Sequence, residues 1–310
     1  MEKAAGQIGS QELGAKQLYR SIEKFLKLPD NTEIWPGHGA GSFCGKSLSN
    51  IPQSTLQQEK LTNPALQFSG KEADFVTYIL KDQPAPPKYF AVMKHLNKAD
   101  RPLLVEVPKL AELNQKEIDN AIKNGLIVID ARPKAVSSQG FISGSFLIEN
   151  MKTFSTFAGS IVDYQNQIIL IAEENQIEDL MRKLMRIGMD NIYGYITNPS
   201  EQNLALQNVK TIDIDTFKSY LGNKNVQKID VRTENEYKSG HIKGVENIAL
   251  NTLENNLDKI NKKEPVIIHC QSGTRAAIAY SILVKNGFEN ILNYSGGIND
   301  WKEKKNELAQ

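Results

Sequence analysis

The chain matches itself at a shift of one hundred residues, and this repeat restricts its folds more than any other feature. Ile129-Asp130-Ala131-Arg132 returns as Ile229-Asp230-Val231-Arg232, and Gly140, Ile142 and Gly144 return as Gly240, Ile242 and Gly244. Further on, Gly188-Met189-Asp190-Asn191-Ile192 returns as Gly287-Phe288-Glu289-Asn290-Ile291, with the shift reduced by one. Matching glycines imply matching turns, because glycine is the residue that tolerates positive φ. The simplest reading is two copies of one α/β domain, over 114–207 and 208–310, behind a different region at 1–107.

Each copy alternates short apolar runs with amphipathic stretches. In the second copy the pattern predicts strands at Lys228–Val231, Asn247–Ala249, Val266–His269 and Ile291–Tyr294. It predicts helices at Asp215–Leu221, Thr233–Lys238, Leu253–Ile260 and Ala276–Asn286. Strands alternating with helices build a parallel sheet covered on both faces, and ligands of such sheets bind beyond the carboxyl ends of the strands.

Composition excludes several classes of function. The chain has 310 residues with 37 Lys and Arg against 36 Asp and Glu, so no excess of charge points to nucleic acid. No apolar run approaches the roughly 18 residues that span a bilayer. The start, Met1-Glu2-Lys3-Ala4-Ala5-Gly6, lacks the apolar core of a signal peptide. The two cysteines, Cys44 and Cys270, fall in different predicted domains, which argues against a disulfide framework and for a reducing, cytoplasmic setting.

Cys270 stands where chemistry is expected. The run Val266-Ile267-Ile268-His269 reads as a buried strand and ends at Cys270; Gln271, Ser272, Gly273 and Thr274 lead to Arg275 and into a helix. Backbone N–H groups converge at such a turn, and the helix N-terminus adds partial positive charge. A thiolate is stabilised there, which makes Cys270 a good nucleophile.

Taken in order, Asp230-Val231-Arg232, Ser239-Gly240-His241-Ile242-Lys243-Gly244, Cys270-Gln271-Ser272-Gly273-Thr274-Arg275 and Ser295-Gly296-Gly297-Ile298-Asn299-Asp300-Trp301 resemble the rhodanese family of sulfurtransferases over the whole second copy. The resemblance implies that Cys270 takes sulfane sulfur from a donor such as thiosulfate or a small persulfide, and passes it to a thiol, sulfite or cyanide. It implies a loop of Gln271, Ser272, Gly273 and Thr274 around that sulfur, with amides from Gln271 to Arg275 as the cradle. Arg275 is expected to hold the loop and offer charge to an anionic donor. Asp230 and Arg232 are expected to be structural support, His241 and His269 satisfied structural groups, and Trp301 core. Cysteine phosphatases of similar fold use C-x5-R around a tetrahedral phosphate; the C-x4-R spacing here suits a sulfur atom.

The first copy lacks the nucleophile. Its strand Ile168-Ile169-Leu170-Ile171 runs into Ala172-Glu173-Glu174, so Ala172 or a neighbour, depending on a one-residue gap, stands in place of cysteine. That copy is expected to pack against the active one and shape its entrance.

Residues 1–107 carry Ile34-Trp35-Pro36-Gly37-His38-Gly39, Asn63-Pro64-Ala65-Leu66 and Pro86-Pro87-Lys88-Tyr89-Phe90. These resemble the C-terminal part of a metallo-β-lactamase-fold persulfide dioxygenase of the kind fused to two rhodanese domains. The whole chain then reads as α/β, with two tandem rhodanese-like parallel-sheet domains preceded by the C-terminal part of a metallo-β-lactamase-like αββα fold, begun in mid-fold by truncation. In that family the histidine of the P-G-H turn is an iron ligand. His38 holds that position as an orphan, since the H-x-H-x-D-H motif and the aspartate ligand are absent from this sequence. A non-haem iron needs about three protein ligands, so no metal, cofactor or dioxygenase activity is expected unless another chain supplies the rest. Segment 68–80, with Phe75, Val76, Tyr78 and Ile79, is expected to need cover; self-association or pairing with a missing half would provide it. The partners expected are a small sulfur donor and a thiol acceptor. The rival outside enzymology is a docking module in which Cys270 is incidental.

Overall fold

The computed structural model describes residues 10–37, 51–81, 87–101 and 103–309. The chain divides into two compact units, Met1–His95 and Leu96–Gln310. The first unit holds α1 (Ser10–Phe25), an antiparallel ladder of β1 (Glu33–Ile34) with β2 (Ser54–Thr55), α2 (Leu56–Thr62), a 3-10 turn (Pro64–Phe68) and α3 (Glu72–Leu80); α4 (Tyr89–Leu96) follows. The Thr55 side chain accepts from the Gln58 amide and starts α2, as an N-cap does. Phe75 of α3 is fully buried, with its ring 5.5 Å from Tyr19 of α1 and 6.2 Å from Phe68. Phe75 thus finds cover within its own unit, while Val76, Tyr78 and Ile79 are half-buried.

The second unit runs α5 (Gln115–Lys123), β3 (Ile127–Asp130), α6 (Lys134–Ser137), β4 (Phe141–Ile142), β5 (Phe146–Leu147), α7 (Phe154–Ile161), β6 (Ile168–Ile171), α8 (Glu174–Met185), β7 (Ile192–Ile196) and β8 (Leu206–Gln207). It continues with β9 (Thr211–Ile212), α9 (Ile214–Tyr220), β10 (Gln227–Asp230), α10 (Glu234–Lys238), β11 (Glu246–Asn247), a 3-10 stretch (Leu250–Lys259), β12 (Val266–His269), α11 (Thr274–Lys285), β13 (Ile291–Tyr294) and α12 (Gly297–Glu303). One parallel sheet has the order β5-β3-β6-β7 and the other β11-β10-β12-β13-β9. A parallel bridge from Glu112 to Tyr195 stands in the first sheet where β9 stands in the second. The central strands β6 and β12 are buried along their whole length, as β-branched runs in a sheet covered on both faces are.

The repeat persists in detail. Gly144 and Gly244 have φ of 85° and 84°, and Gly188 and Gly287 have 76° and 79°. Arg132 Nη2 donates to the Gly140 carbonyl at 2.7 Å, and Arg232 Nη2 to the Gly240 carbonyl at 2.8 Å. Each arginine is also chelated by the aspartate two residues before it.

Helix α11 joins the two halves. Every residue from Ala276 to Leu283 is buried, which fits a helix apolar all round. Ser281 Oγ accepts from the Leu147 amide at 3.2 Å, the Tyr280 ring meets Phe141 edge-on at 6.2 Å, and Lys285 Nζ lies 4.2 Å above the Phe146 ring.

The structure departs from the sequence expectations in several places, one of them β11, which ends at Asn247, two residues before the predicted strand end. Helix α11 starts at Thr274, two residues before the predicted start. The predicted helix Leu253–Ile260 is 3-10 in character, with a non-helical Asn256 at φ −127°. Strand β9 and helix α12 were not expected; β9 is two residues long, and α12 opens on Gly297 at φ 60°, which reads as a turn. No helix among the described residues is long and apolar enough to cross a membrane.

Candidate active site

Cys270 lies at the carboxyl end of β12, the middle strand of its sheet, and is 1% exposed. Its Sγ accepts the Gly273 amide at 3.1 Å. Gly273 is left-handed, with φ 91°, and closes the loop onto α11 as its N-cap. A Cβ there would fall 2.6 Å from the Ser295 carbonyl oxygen, so only glycine fits.

The loop is held from outside by its carbonyls. The Cys270 carbonyl accepts from the Ile298 amide and the Gln271 carbonyl from the Asn299 amide, both at 3.0 Å. The Ser272 carbonyl accepts from Lys134 Nζ at 2.7 Å. In a trans peptide the C=O and N–H point opposite ways. Anchoring the Ser272 carbonyl therefore leaves the amide of the same peptide, on Gly273, toward the sulfur. The turn at Gly297 makes close approach to the Cys270 carbonyl possible, since a Cβ there would lie 2.2 Å from the Cys270 oxygen. Gln271 is fixed by Asn299, and its Oε1 lies 3.4 Å from Arg232 Nη1. Ser272 is exposed and Thr274 half-buried.

Arg275 is paired within the protein. Its Nη1 and Nη2 donate to Glu236 Oε2 and Oε1 at 2.6 and 2.7 Å. The pair holds the loop to α10 and sets a carboxylate beside the arginine's charge. Burial alone would raise the Glu236 value; hydrogen bonds from Arg275 and Thr233 more than reverse this and leave it lowered to about 2. Arg275 is raised, because Glu236 outweighs the burial that would lower it. Sequence reading missed Glu236, although Thr233-x-x-Glu236 is a legible capping box and forms one.

The depressed Glu236 value sets a pH dependence. The stabilisation is present above the unfolded value of about 4.3 and is lost as pH falls through about 2. E236Q should cost about 1–2 kcal/mol at neutral pH, discounted for the partial exposure of the carboxylate. Urea melts of wild type and E236Q should converge toward pH 2; a gap that stays constant down to that pH contradicts this assignment.

Asp230 and Arg232 form a buried pair, at 2.7 Å between Nη2 and Oδ2, beneath the loop. His269 is fully buried beside Phe217 and Tyr294, and burial pushes it below its ordinary value. His241 stacks on Tyr237 with ring centres 3.9 Å apart. Trp301 is buried, and its Nε1 donates to the Glu307 carbonyl at 2.9 Å.

In the first copy Asp130 pairs in register with Ile171, as Asp230 does with His269, so Ala172 occupies the place of Cys270. One residue, Glu173, separates Ala172 from α8, whereas three separate Cys270 from α11. The first copy is therefore missing the cradle as well as the nucleophile, and its loop is shorter by two residues. His38 and Cys44 lie outside the described residues. Among the described residues no three His, Cys, Asp or Glu side chains gather as a metal site.

A parallel sheet with a cysteine at the carboxyl end of its middle strand, cradled by the N-terminus of the next helix, defines a class of protein, and comparison with known families agrees. The rhodanese-like domain family matches residues 213–304. An uncharacterised protein of Bacillus subtilis, YqhL, is 38% identical over 96 residues, covering 31% of this chain and 75% of that one. The thiosulfate sulfurtransferase GlpE of Pseudoalteromonas translucida is 34% identical over 106 residues, covering 33% of this chain and 96% of that one. A metallo-β-lactamase from Staphylococcus aureus, solved at 2.1 Å, is similar at 37% identity with a TM-score of 0.51; the match covers 61% of this chain and 52% of that one, so this chain spans about half its length. The chain belongs to the rhodanese family, in which the GlpE relative is a thiosulfate sulfurtransferase.

Proposed function

We propose that the chain moves single sulfane sulfur atoms on Cys270. The observation that carries this reading is the Gly273 amide donating to Sγ at the start of α11. A negative charge on that sulfur, or on one bonded to it, meets a fixed donor and the positive end of a helix. With thiosulfate, the thiolate attacks the outer sulfur; a Cys–S bond forms, the S–S bond of the donor breaks, and sulfite leaves with the electron pair. Cyanide, sulfite or a small thiolate then attacks the outer sulfur of the persulfide, takes it away, and returns the Cys270 thiolate. The name of the GlpE relative supports thiosulfate as a donor, and the four-residue spacing from Cys270 to Arg275 supports sulfur over phosphate as the guest.

Burial of Cys270 adds a demand. With Cys270 only 1% exposed, small anions are favoured over bulky persulfides. The test is initial-rate kinetics with thiosulfate and cyanide varied together. Transfer through a persulfide gives parallel double-reciprocal lines. Intersecting lines, which require both substrates bound at once, contradict it.

We infer further that residues 114–207 form a rhodanese-like copy without a nucleophile, that 208–310 form the working copy, and that 1–107 form the C-terminal part of a metallo-β-lactamase-like fold. The matched strand orders of the two sheets support the first two assignments. The likeness to the staphylococcal structure supports the third.

A further inference from the structure

One side chain reaches the loop from the opposite copy. Lys134 opens α6, and its Nζ donates to the Ser272 carbonyl at 2.7 Å. That carbonyl belongs to the same peptide whose N–H, on Gly273, donates to Cys270 Sγ at 3.1 Å. No described peptide bond is cis, so the ammonium sits at one end of a peptide dipole and the sulfur at the other. A cation on the oxygen draws electron density toward it, strengthens the N–H as a donor, and holds the peptide in the orientation the sulfur needs.

The other charges at the loop single out Lys134. Arg275 is paired with Glu236, and Arg232 with Asp230. Among the described residues the ion pairs do not include Lys134. Its side chain lines a crevice with Ser137, Leu147, Glu149, Thr274 and Ala277, of about 10 Å³, which is about the room one water needs. The hydrogen bond to the Ser272 carbonyl places the ammonium at the loop. A Cβ on Gly273 would lie 2.9 Å from Nζ. At the matching position of the second copy, Glu234 turns away and pairs with Lys238 at 2.6 Å. The first copy carries a base in place of that acid, at the point where it faces the loop of the other copy.

We propose that Lys134 is a positioning residue for Cys270, so that the copy without a nucleophile supplies a positive charge at the peptide that faces the sulfur. The effect on turnover rests on the sulfurtransferase reading; the effect on thiol reactivity does not. Wild type, K134M, K134Q and K134R are compared by alkylation of Cys270 with iodoacetamide, located by peptide mapping, from about pH 5 to about pH 9, and by thiosulfate–cyanide turnover. Loss of one charge-assisted polarisation predicts about a tenfold slower alkylation near neutral pH in K134M and K134Q. The acid limb of the pH profile moves upward and the alkaline plateau is unchanged; kcat/KM falls by a similar factor, and K134R restores most of both. A structural role would lower the plateau without moving the limb. Should K134M fail to fold, K134Q, which keeps a donor to the carbonyl, decides. Wild-type profiles in the neutral variants overturn the proposal. A moved limb in a protein that transfers no sulfur leaves the role of Lys134 standing and removes the sulfurtransferase reading.

Discussion

C270S is expected to lose at least about a thousandfold in the production of thiocyanate from thiosulfate and cyanide, because loss of a covalent nucleophile removes the whole two-step route. The fold should survive. Cys270 is buried, and serine is close to it in size; the Gly273 amide that now meets Sγ can meet a hydroxyl instead. The melting temperature is therefore expected to move far less than the rate. The first copy offers no substitute route, since Ala172 stands at the equivalent strand end with one residue before the helix. A C270S protein that turns over at the parent rate contradicts the assignment of the nucleophile. C44S is the matched control, and is expected to retain the rate.

The second large effect is on stability. D230A should destabilise the second unit by about 3–5 kcal/mol, because it leaves the Arg232 guanidinium buried without its carboxylate. The Arg232 and Asp230 side chains are 4% and 0% exposed, so water cannot replace the lost partner. Asp230 also accepts the Arg232 amide at 2.9 Å, and the Asn247 side chain ties the carbonyls of both residues together. For a unit of this size the loss corresponds to a fall of about 10 °C in melting temperature. D130A is expected to cost less, since Arg132 is 11% exposed and closer to water. Calorimetry of the two variants gives the ranking; equal shifts would mean that the burial difference between the two pairs carries no weight.

What the sequence disclosed was local in nature. The strand into Cys270, the helix after it and the Asp-x-Arg pairs each declare themselves within a few residues, through apolar runs, a capping position or a chelating spacing. The groups that escaped notice act across the fold. Glu236 meets Arg275 over a separation of 39 residues, and Lys134 meets Ser272 over 138. Whether Lys134 faces solvent or a loop depends on how the two sheets seat on α11, which no local pattern encodes. The length of the loop in the first copy was not legible for a related reason. It is two residues shorter than its counterpart, yet the flanking glycines of the two copies still match at a shift near one hundred because length is regained elsewhere. Helix α12 escaped because its first residue, Gly297, serves a contact with the Cys270 carbonyl and looks, in sequence, only like a turn.

The most direct measurement is the intact mass of the protein after the first half-reaction alone. Treatment with thiosulfate should add about 32 Da, the mass of one sulfur, and cyanide should remove it. Peptide mapping should place the added sulfur on Cys270. Absence of the gain in folded wild type, or a gain confined to Cys44, would contradict the idea that Cys270 carries the sulfur.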